Sequence, residues 1–272
     1  MIRILLARWQ QKHRTIKYPD GPAPAVSDRF RGRPVIDAAR CAAGCGACAG
    51  VCPTGALRVS EQGQATIDLG RCLFCGACAE SCPTGAVTFT TDHRLATRRR
   101  EDLVLRAGAE LPLAAPLEGR MRSLLGRSLK LRQVSAAGCN ACEADTNVLT
   151  TIGWDLQRFG IDLVASPRHA DGLLVTGPVS ENMRQALLKT YEAVPGPKLV
   201  IAVGACAVAG GPYIDHPQTH NGVAGLLPVD LFIPGCPPHP LTILDGLLRL
   251  VGRLKTDDPA GAAAPPPRPT SR

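Results

Sequence analysis

The sequence is poor in aromatic side chains and has no long apolar run. Phenylalanine, tryptophan and tyrosine together make up 4% of the 272 residues, so a core must rely on Ala, Val, Leu and Ile. No run approaches the roughly 18–20 apolar residues that cross a bilayer, which argues against an integral membrane protein. The first ten residues turn polar too soon for a signal peptide. These features predict a protein of the cytoplasm or of the cytoplasmic side of a membrane.

Acidic residues are in the minority. The chain has 31 Lys and Arg against 23 Asp and Glu, which gives a net charge of +8. A basic chain can bind nucleic acid, anionic lipid or an acidic protein. Because residues 98–100 form the one run of arginines and no aromatic residues interleave with it, we expect no nucleic acid partner.

Cysteine is in excess. There are 12 cysteines, and they cluster at the spacings of metal ligands in a long chain that shows no secretion signal. Disulfide frameworks belong to small secreted domains, so metal sites are the better interpretation.

An internal repeat marks the first half of the chain. Residues 48–57 read Cys-Ala-Gly-Val-Cys-Pro-Thr-Gly-Ala-Leu, and residues 78–87 read Cys-Ala-Glu-Ser-Cys-Pro-Thr-Gly-Ala-Val. Each copy leads into a short alternating stretch, at 57–60 and 87–90, that predicts a strand. The repeat therefore indicates one small structural unit used twice.

The repeat carries two runs of four cysteines. The first is Cys41, Cys45, Cys48 and Cys52, and the second is Cys72, Cys75, Cys78 and Cys82. The second run, followed by Pro83, has the C-x2-C-x2-C-x3-C-P spacing of bacterial ferredoxins. Three residues instead of two separate Cys41 from Cys45, which leaves open a three-iron cluster. Structural zinc is the alternative for paired cysteines, although zinc sites rarely repeat this run in tandem.

The second half alternates short apolar runs with helical segments. Strands are predicted at 161–165, 172–176, 199–203 and 230–233, with helices at 181–193 and 240–254, which favours a parallel sheet. The remaining cysteines are Cys139, Cys142, Cys206 and Cys236. The last two follow apolar runs, at the carboxyl ends of parallel strands, where cofactors bind. Four thiols at that edge predict a third cluster site, whereas a lone cysteine there is more often a small buried apolar residue.

These motifs resemble known families. Residues 138–143 (Gly-Cys-Asn-Ala-Cys-Glu), 165–179, 201–206 and 233–240 resemble the small electron-transfer subunit of NiFe hydrogenases and the homologous 20 kDa subunit of NADH–quinone oxidoreductase (complex I). The first half, with Phe30-Arg-Gly-Arg-Pro before the first cysteine, resembles the ferredoxin-like subunit of formate hydrogenlyase. The chain thus resembles a fusion of two subunits of the membrane-bound, complex-I-related hydrogenases. The spacing from Cys139 to Cys142 is hydrogenase-like, since the complex I subunits have two adjacent cysteines there.

The resemblance implies a domain order. It comprises an N-terminal arm (1–35), an α+β ferredoxin-like two-cluster domain (36–92), a linker (93–127), an α/β flavodoxin-like domain with a parallel sheet (128–254) and a disordered tail (255–272).

The resemblance also implies three 4Fe-4S clusters, or about 12 irons. The first would be held by Cys41, Cys45, Cys48 and Cys82, the second by Cys72, Cys75, Cys78 and Cys52, and the third by Cys139, Cys142, Cys206 and Cys236. No residue is predicted to be catalytic. Glu143 and Asp145 are candidates for a proton path, with capping of the following helix as the alternative. The weaker candidates are Arg168, His169 and His239. Arg168 and His169 belong to a loop that lies near the cluster and the partner subunit in related proteins.

The implied function is electron transfer in a peripheral complex on the cytoplasmic face of the inner membrane. The expected partners are a large hydrogenase-like catalytic subunit, further complex-I-like and membrane subunits, and a formate- or ferredoxin-linked donor. Nickel is expected in the large partner and not in this chain. Two alternatives stay open at this point: a nickel-free, complex-I-like oxidoreductase that reduces quinone or serves an ion pump, and a zinc module that binds nucleic acid.

Overall fold

The structure is a computed structural model that describes residues 2–42, 44–60 and 64–254. The predicted disordered tail, 255–272, lies outside the described residues. None of the described helices is both long enough and apolar enough to cross a bilayer.

The N-terminal arm begins with a helix, α1 (Ile2–Gln11), and continues as an extended segment. No residue of α1 is buried. The extended segment is fastened to the second half of the chain, because the Ile16 N–H donates to the Gly153 carbonyl at 2.8 Å. Arg158 donates to the carbonyls of Ile16 and Tyr18 at 2.6 Å each. The arm is therefore docked from Thr15 onward, while α1 is not.

Two small antiparallel sheets build the cysteine-rich half. Strand β1 (Pro34–Ile36) pairs with β4 (Val87–Phe89), and β2 (Leu57–Val59) pairs with β3 (Ala65–Asp68). Two one-turn helices, α2 (Ala47–Gly50) and α3 (Ala77–Glu80), occupy equivalent places in the two copies of the repeat. The strands predicted at 57–60 and 87–90 are confirmed as β2 and β4. The repeat in sequence is thus a repeat in structure.

The segment predicted as a linker, 93–127, packs on both halves of the molecule. It contains strand β5 (Val104–Arg106), which extends the β2–β3 sheet, and helix α4 (Gly119–Leu125). Backbone hydrogen bonds of 3.0 and 2.9 Å pair Thr97 with Phe232 of the second half. The Arg100 guanidinium donates to Asp68 at 2.7 Å. This segment therefore joins the two halves instead of separating them.

The second half is a five-stranded parallel sheet. Its strands are β6 (Leu129–Ser135), β7 (Ile161–Leu163), β8 (Gly172–Thr176), β9 (Leu199–Val203) and β10 (Leu231–Ile233), in the order β10-β9-β8-β6-β7. Every residue of β8 and β9 is buried, as the unbroken apolar runs predict for a strand covered on both faces. Strand β6 is not among the predicted strands, because Lys130, Arg132 and Gln133 divide its apolar residues and leave no continuous apolar run.

Four helices accompany this sheet: α5 (Ala141–Val148), α6 (Glu181–Ala193), α7 (Ala205–Ala209) and α8 (Pro240–Leu250). The strands and helices predicted in this half are confirmed: β8, β9 and α6 have the predicted bounds, and β7, β10 and α8 are shorter than predicted. All eleven residues of α8 are buried. They include an ion pair, Arg249 to Asp245 at 2.8 Å, and the Tyr18 hydroxyl donates to the same Asp245 at 2.9 Å. The N-terminal arm thus completes the burial of α8.

Candidate cluster sites

The first group of thiols surrounds helix α2. Cys48 lies on α2 and is buried. Burial raises the pKa of the Cys48 thiol, and the nearby Cys41 and Cys82 raise it further. Cys82 comes from the second cysteine run, so the fold brings the last cysteine of one run to the first group. Cys45 lies in the loop that leads into α2.

The second group of thiols lines a single cavity. Cys52, Cys72, Cys75 and Cys78 all face it, together with apolar side chains such as Ile67. Burial raises the pKa of Cys72 to about 12 and that of Cys78 to about 11, and the neighbouring thiols add to both shifts. Burial thus disfavours the thiolate forms of Cys72 and Cys78, and a cation held between these sulfurs would compensate for that effect.

Cys52 and Cys82, the two cysteines that cross between groups, have matching hydrogen bonds. The Ala56 N–H donates to Cys52 Sγ at 3.2 Å, and the Ala86 N–H donates to Cys82 Sγ at 3.2 Å. Burial alone would raise both pKa values, but these N–H donors and a nearby threonine hydroxyl in each copy lower them. The repeated Cys-Pro-Thr-Gly-Ala sequence therefore builds the same thiolate-stabilising turn twice.

A glycine with positive φ forms the bend of each of these turns. Gly55 has φ +59° and Gly85 has φ +62°, in the left-handed region that L side chains rarely adopt. The bend brings the N–H of the following alanine back to the cysteine that opens the turn, so the chain closes around sulfur.

The third group of thiols sits at the carboxyl edge of the parallel sheet. Cys139 and Cys142 follow β6, Cys206 lies on α7 after β9, and Cys236 follows β10. Burial raises the pKa of Cys142 and raises that of Cys206 to about 11, and in both cases other cysteines of the group raise it further. The structure thus brings these four cysteines to one edge of the sheet.

Two glycines let the backbone approach the third group closely. A Cβ on Gly204 (φ +91°) would lie 2.5 Å from Cys142 Sγ, and a Cβ on Gly211 (φ +56°) would lie 2.7 Å from Cys206 Sγ. Both distances are shorter than any real contact of a Cβ atom. Close approach of backbone to the thiols thus accounts for these two glycines.

The donor sets fit clusters of several irons. Each group offers four cysteines, whose thiolates are the usual ligands of iron–sulfur clusters and balance the charge of the irons. Backbone N–H groups also donate to the sulfurs of Cys52, Cys72 and Cys82. Among the residues that the structure describes, no three His, Cys, Asp or Glu side chains converge tightly enough to hold one metal ion. A cluster places several irons between its ligands, so its thiolates stand further apart than those around a single ion.

The second and third groups are neighbours. Cys75 of the second group is close enough to Cys236 to raise the pKa of that thiol, after the larger effect of burial. A pocket lined by Phe30, Phe74, Asp145 and Cys236 lies at this junction. Arg31 reaches the same place, because a Cβ on Gly76 would lie 2.9 Å from Arg31 Nε.

The other candidate residues have distinct environments. Glu143 is buried, and its carboxylate accepts a 2.6 Å hydrogen bond from the Thr176 hydroxyl of β8. Asp145 is half-buried at the junction pocket, and burial raises its pKa. His239 is the N-cap of α8, with Nδ1 accepting from the Leu241 N–H at 3.1 Å. Arg168 and His169 lie in a short 3-10 turn that has no buried residue.

One buried polar cluster is absent from the sequence-based predictions. Tyr18, His93, Asp245 and Arg249 meet between the arm, the connecting segment and α8, and burial followed by the nearby Asp245 raises the pKa of Tyr18. His93 Nε2 is buried and has no hydrogen-bond partner among the described residues. The partners come from distant parts of the sequence, so no local pattern indicates them.

Comparison with protein families finds two matching models. Residues 139–250 match the family described as NADH ubiquinone oxidoreductase, 20 Kd subunit. Residues 40–86 match the 4Fe-4S dicluster domain. The two matches cover the third group of thiols and the two ferredoxin-type groups, respectively.

Several curated proteins are similar to about half of the chain. The probable membrane-bound hydrogenase subunit mbhJ of Pyrococcus furiosus is 42% identical over 141 residues, which is 51% of this chain and 84% of that protein. Formate hydrogenlyase subunit 7 of Escherichia coli is 38% identical over 141 residues, 52% of this chain and 55% of that protein. An NADH-quinone oxidoreductase subunit of Bacteroides thetaiotaomicron is 39% identical over 133 residues, 48% of this chain and 67% of that protein.

A solved structure is also similar. A chain of the membrane-bound sulfane sulfur reductase, an archaeal respiratory membrane complex, is 33% identical, with a TM-score of 0.44. The match covers 54% of this chain and 81% of that one.

Proposed function

The chain belongs to the family of the 20 kDa subunit of NADH ubiquinone oxidoreductase, and on that premise we propose that it is an iron–sulfur electron-transfer subunit of a membrane-associated NiFe-hydrogenase complex of the formate-hydrogenlyase type. It would relay electrons through three 4Fe-4S clusters to or from an active site on a large partner subunit.

The observation that carries this proposal is the grouping of the cysteines: Cys48 lies near Cys41 and Cys82, one cavity is lined by four more, and a further four meet at the edge of the parallel sheet. We assign them to three sets of four, with Cys45 in the first set because it lies in the loop before α2: Cys41, Cys45, Cys48 and Cys82; Cys52, Cys72, Cys75 and Cys78; Cys139, Cys142, Cys206 and Cys236. The electrostatic contacts within the sets, and the exchange of Cys52 and Cys82 between the two runs, support this assignment. The proximity of Cys75 to Cys236 supports an arrangement in which the second set lies beside the third, as an electron relay needs.

The topology supports the finer fold assignments. Counted from the first strand of the second half, the sheet order is 2-1-3-4-5, the order of flavodoxin-like folds. In that fold, cofactors bind beyond the carboxyl ends of the strands, where Cys139, Cys206 and Cys236 lie. The paired antiparallel sheets with equivalent helices α2 and α3 support a ferredoxin-like domain over 36–92.

When bound, the clusters supply one-electron storage at low potential. The chain's own residues hold them and set their environment. Backbone N–H donors at Ala56, Phe74 and Ala86 stabilise charge on sulfur, and burial around Cys72 and Cys142 opposes it. Glu143 and Asp145 would hold and pass protons beside the third set. The hydrogen bond from the Thr176 hydroxyl would keep the Glu143 carboxylate in position.

The proposed partners follow from the relatives. The membrane-bound hydrogenase subunit and the formate hydrogenlyase subunit are each named as parts of larger assemblies. We propose a large hydrogenase-like catalytic partner, further complex-I-like and membrane subunits, and a formate- or ferredoxin-linked donor, with the complex on the cytoplasmic face of the inner membrane.

A second candidate function is that of a nickel-free, complex-I-like oxidoreductase. It is favoured by the 39% identity to the NADH-quinone oxidoreductase subunit of Bacteroides thetaiotaomicron. The separation of Cys139 from Cys142 by two residues favours the hydrogenase instead.

Metal analysis of the intact complex tests the proposal. The complex is purified anaerobically through a tag on this chain, and iron, nickel and zinc are measured together. We expect about 12 irons per chain, nickel in equal amount to the chain and hydrogen-dependent dye reduction. Iron without nickel would assign the chain to the second candidate. Zinc without acid-labile sulfide would overturn both.

A further inference from the structure

Helix α1 exposes an unusual amount of apolar surface. Of the ten large apolar side chains exposed among the described residues, five belong to this helix of ten residues. Trp9 is 79% exposed, Ile2 74% and Leu5 68%. No part of the chain that the structure describes buries them. Exposed apolar area concentrated in this way marks a contact surface.

The apolar side chains of α1 are arranged on one face. At 100° per residue, Ile2, Leu5, Leu6 and Trp9 fall within one stripe along the helix. Arg3 and Arg8 flank this stripe on its two sides. Ile4 points away from it, at about 200° from Ile2. We call the stripe of Ile2, Leu5, Leu6 and Trp9 the apolar face of α1.

The charge around the apolar face has one sign. Every charged side chain from residue 2 to residue 19 is basic, and the first carboxylate is that of Asp20. The cationic residues are Arg3, Arg8, Lys12, Arg14 and Lys17. A tryptophan and leucines on one face, with flanking arginines, is the composition of helices that lie in the headgroup region of anionic bilayers. An acidic groove on a protein would match the charge as well, but a stripe of tryptophan and leucine with arginines at both edges favours the boundary between headgroups and acyl chains.

The segment that follows α1 is fixed beside another exposed apolar side chain. The Thr15 hydroxyl donates to the Ile152 carbonyl at 3.1 Å, and the Ile16 N–H donates to Gly153. Ile152 itself is 77% exposed. The chain is therefore anchored four residues after α1 ends, beside another apolar group that faces outward.

We propose that α1 lies on an anionic bilayer surface, with its apolar face at the boundary between headgroups and acyl chains and the five cationic side chains of the arm on the lipid phosphates. This inference deepens the proposed membrane association and rests on it only for its physiological setting, because lipid binding requires neither nickel nor a partner subunit.

The test is vesicle flotation of the full chain, purified anaerobically with its clusters. Two vesicle compositions are used: phosphatidylcholine alone, and phosphatidylcholine with phosphatidylglycerol. We expect binding to the anionic vesicles that weakens as salt is raised. Leu5→Glu and Trp9→Glu should each weaken this binding at least about tenfold, because each removes a large apolar group from the face.

Ile4→Glu is the matched control, since it places the same charge in the same helix but off the apolar face. It should change vesicle binding less than about threefold. Iron content must be the same in all variants, which shows that the rest of the chain is folded. Equal losses from Leu5→Glu and Ile4→Glu, or binding that ignores anionic lipid, would overturn the proposal.

A protein partner is the remaining outcome. If the chain does not bind anionic vesicles but Leu5→Glu stops the other subunits from co-purifying, α1 docks on protein and the lipid proposal is wrong. Failure of the proposed function looks different. The complex would then lack nickel, while vesicle binding by this chain would be unchanged.

Discussion

The two halves of the molecule build their thiol groups in different ways. In the ferredoxin-like half, eight cysteines lie within residues 41–82, and a repeated Cys-Pro-Thr-Gly-Ala turn fixes Cys52 and Cys82 by local hydrogen bonds. In the parallel-sheet half, four cysteines are spread over residues 139–236 and meet because the strands before them end at one edge. The first site is encoded by local spacing, the second by topology.

Because of this difference, we expect the folding of the two halves to depend on their bound clusters to different degrees. The ferredoxin-like half has strands of three or four residues and one-turn helices, so it has less regular secondary structure than the other half to hold it together without clusters. The other half has a buried sheet and a fully buried α8. A structural metal centre contributes most to folding where the apolar core is smallest.

Loss of one ligand in each half should show the largest effect. Cys78→Ser replaces a buried cysteine of the second group, and on the proposed ligand assignment we expect loss of about four irons together with unfolding of residues 36–92. Cys142→Ser should lose about four irons from the third group, while the parallel sheet stays folded. Iron analysis, electron paramagnetic resonance and limited proteolysis measure this. Equal proteolytic sensitivity in the two variants would contradict the comparison.

A glycine substitution tests the third group of thiols without replacing any cysteine. In Gly204→Ala the new Cβ would meet Cys142 Sγ at 2.5 Å, in a backbone with φ +91°. Strain of about 1–3 kcal/mol adds to the clash, so we expect the third cluster to be lost while the other two remain. Paramagnetic resonance of the reduced protein distinguishes the clusters.

Gly225→Ala is the control for that experiment, because no atom lies within 4 Å of its added Cβ and its φ is not positive. All three clusters should remain in this variant. Retention of the third cluster in Gly204→Ala would mean that the backbone does not approach Cys142 as closely as the structure shows.

Sequence could reveal much of both sites. The repeat is enough to predict β2 and β4, because the same short alternating stretch follows each copy of the Cys-Pro-Thr-Gly-Ala sequence. The resemblance to ferredoxins implies the exchange of Cys52 and Cys82. The apolar runs were enough to predict β8 and β9, which are covered on both faces. Strand β6 is not predicted because polar residues divide its apolar residues. Strand β5 is not predicted because it lies in the segment 93–127, which has the composition of a linker. The cluster of Tyr18, His93 and Asp245 depends on contacts between distant segments, which no local pattern encodes.

The contact between the arm and the second half offers a smaller test. Tyr18→Phe removes the 2.9 Å hydrogen bond to buried Asp245 and leaves that carboxylate with one fewer donor. We expect a loss of about 1–3 kcal/mol in unfolding free energy of the parallel-sheet half, with all clusters retained. Thermal unfolding and proteolysis of the arm measure it. No change in either would mean that the arm does not stabilise α8.

The last comparison is between the two copies of the repeat, and it includes the smallest expected effect. Thr54 is buried, and its hydroxyl donates to the Arg71 carbonyl at 2.8 Å in addition to its contact with Cys52 Sγ. Thr84 is exposed, and its hydroxyl contacts Cys82 Sγ at 3.6 Å.

Thr54→Val should therefore lower the free energy of unfolding by about 1–3 kcal/mol, because the Arg71 carbonyl loses a donor in a part-buried site. Thr84→Val should cost less than about 0.5 kcal/mol. Chemical denaturation of the two variants under anaerobic conditions gives the comparison. Equal losses would show that the copies of the turn are energetically equivalent, and that identical local sequence outweighs the different burial of the two threonines.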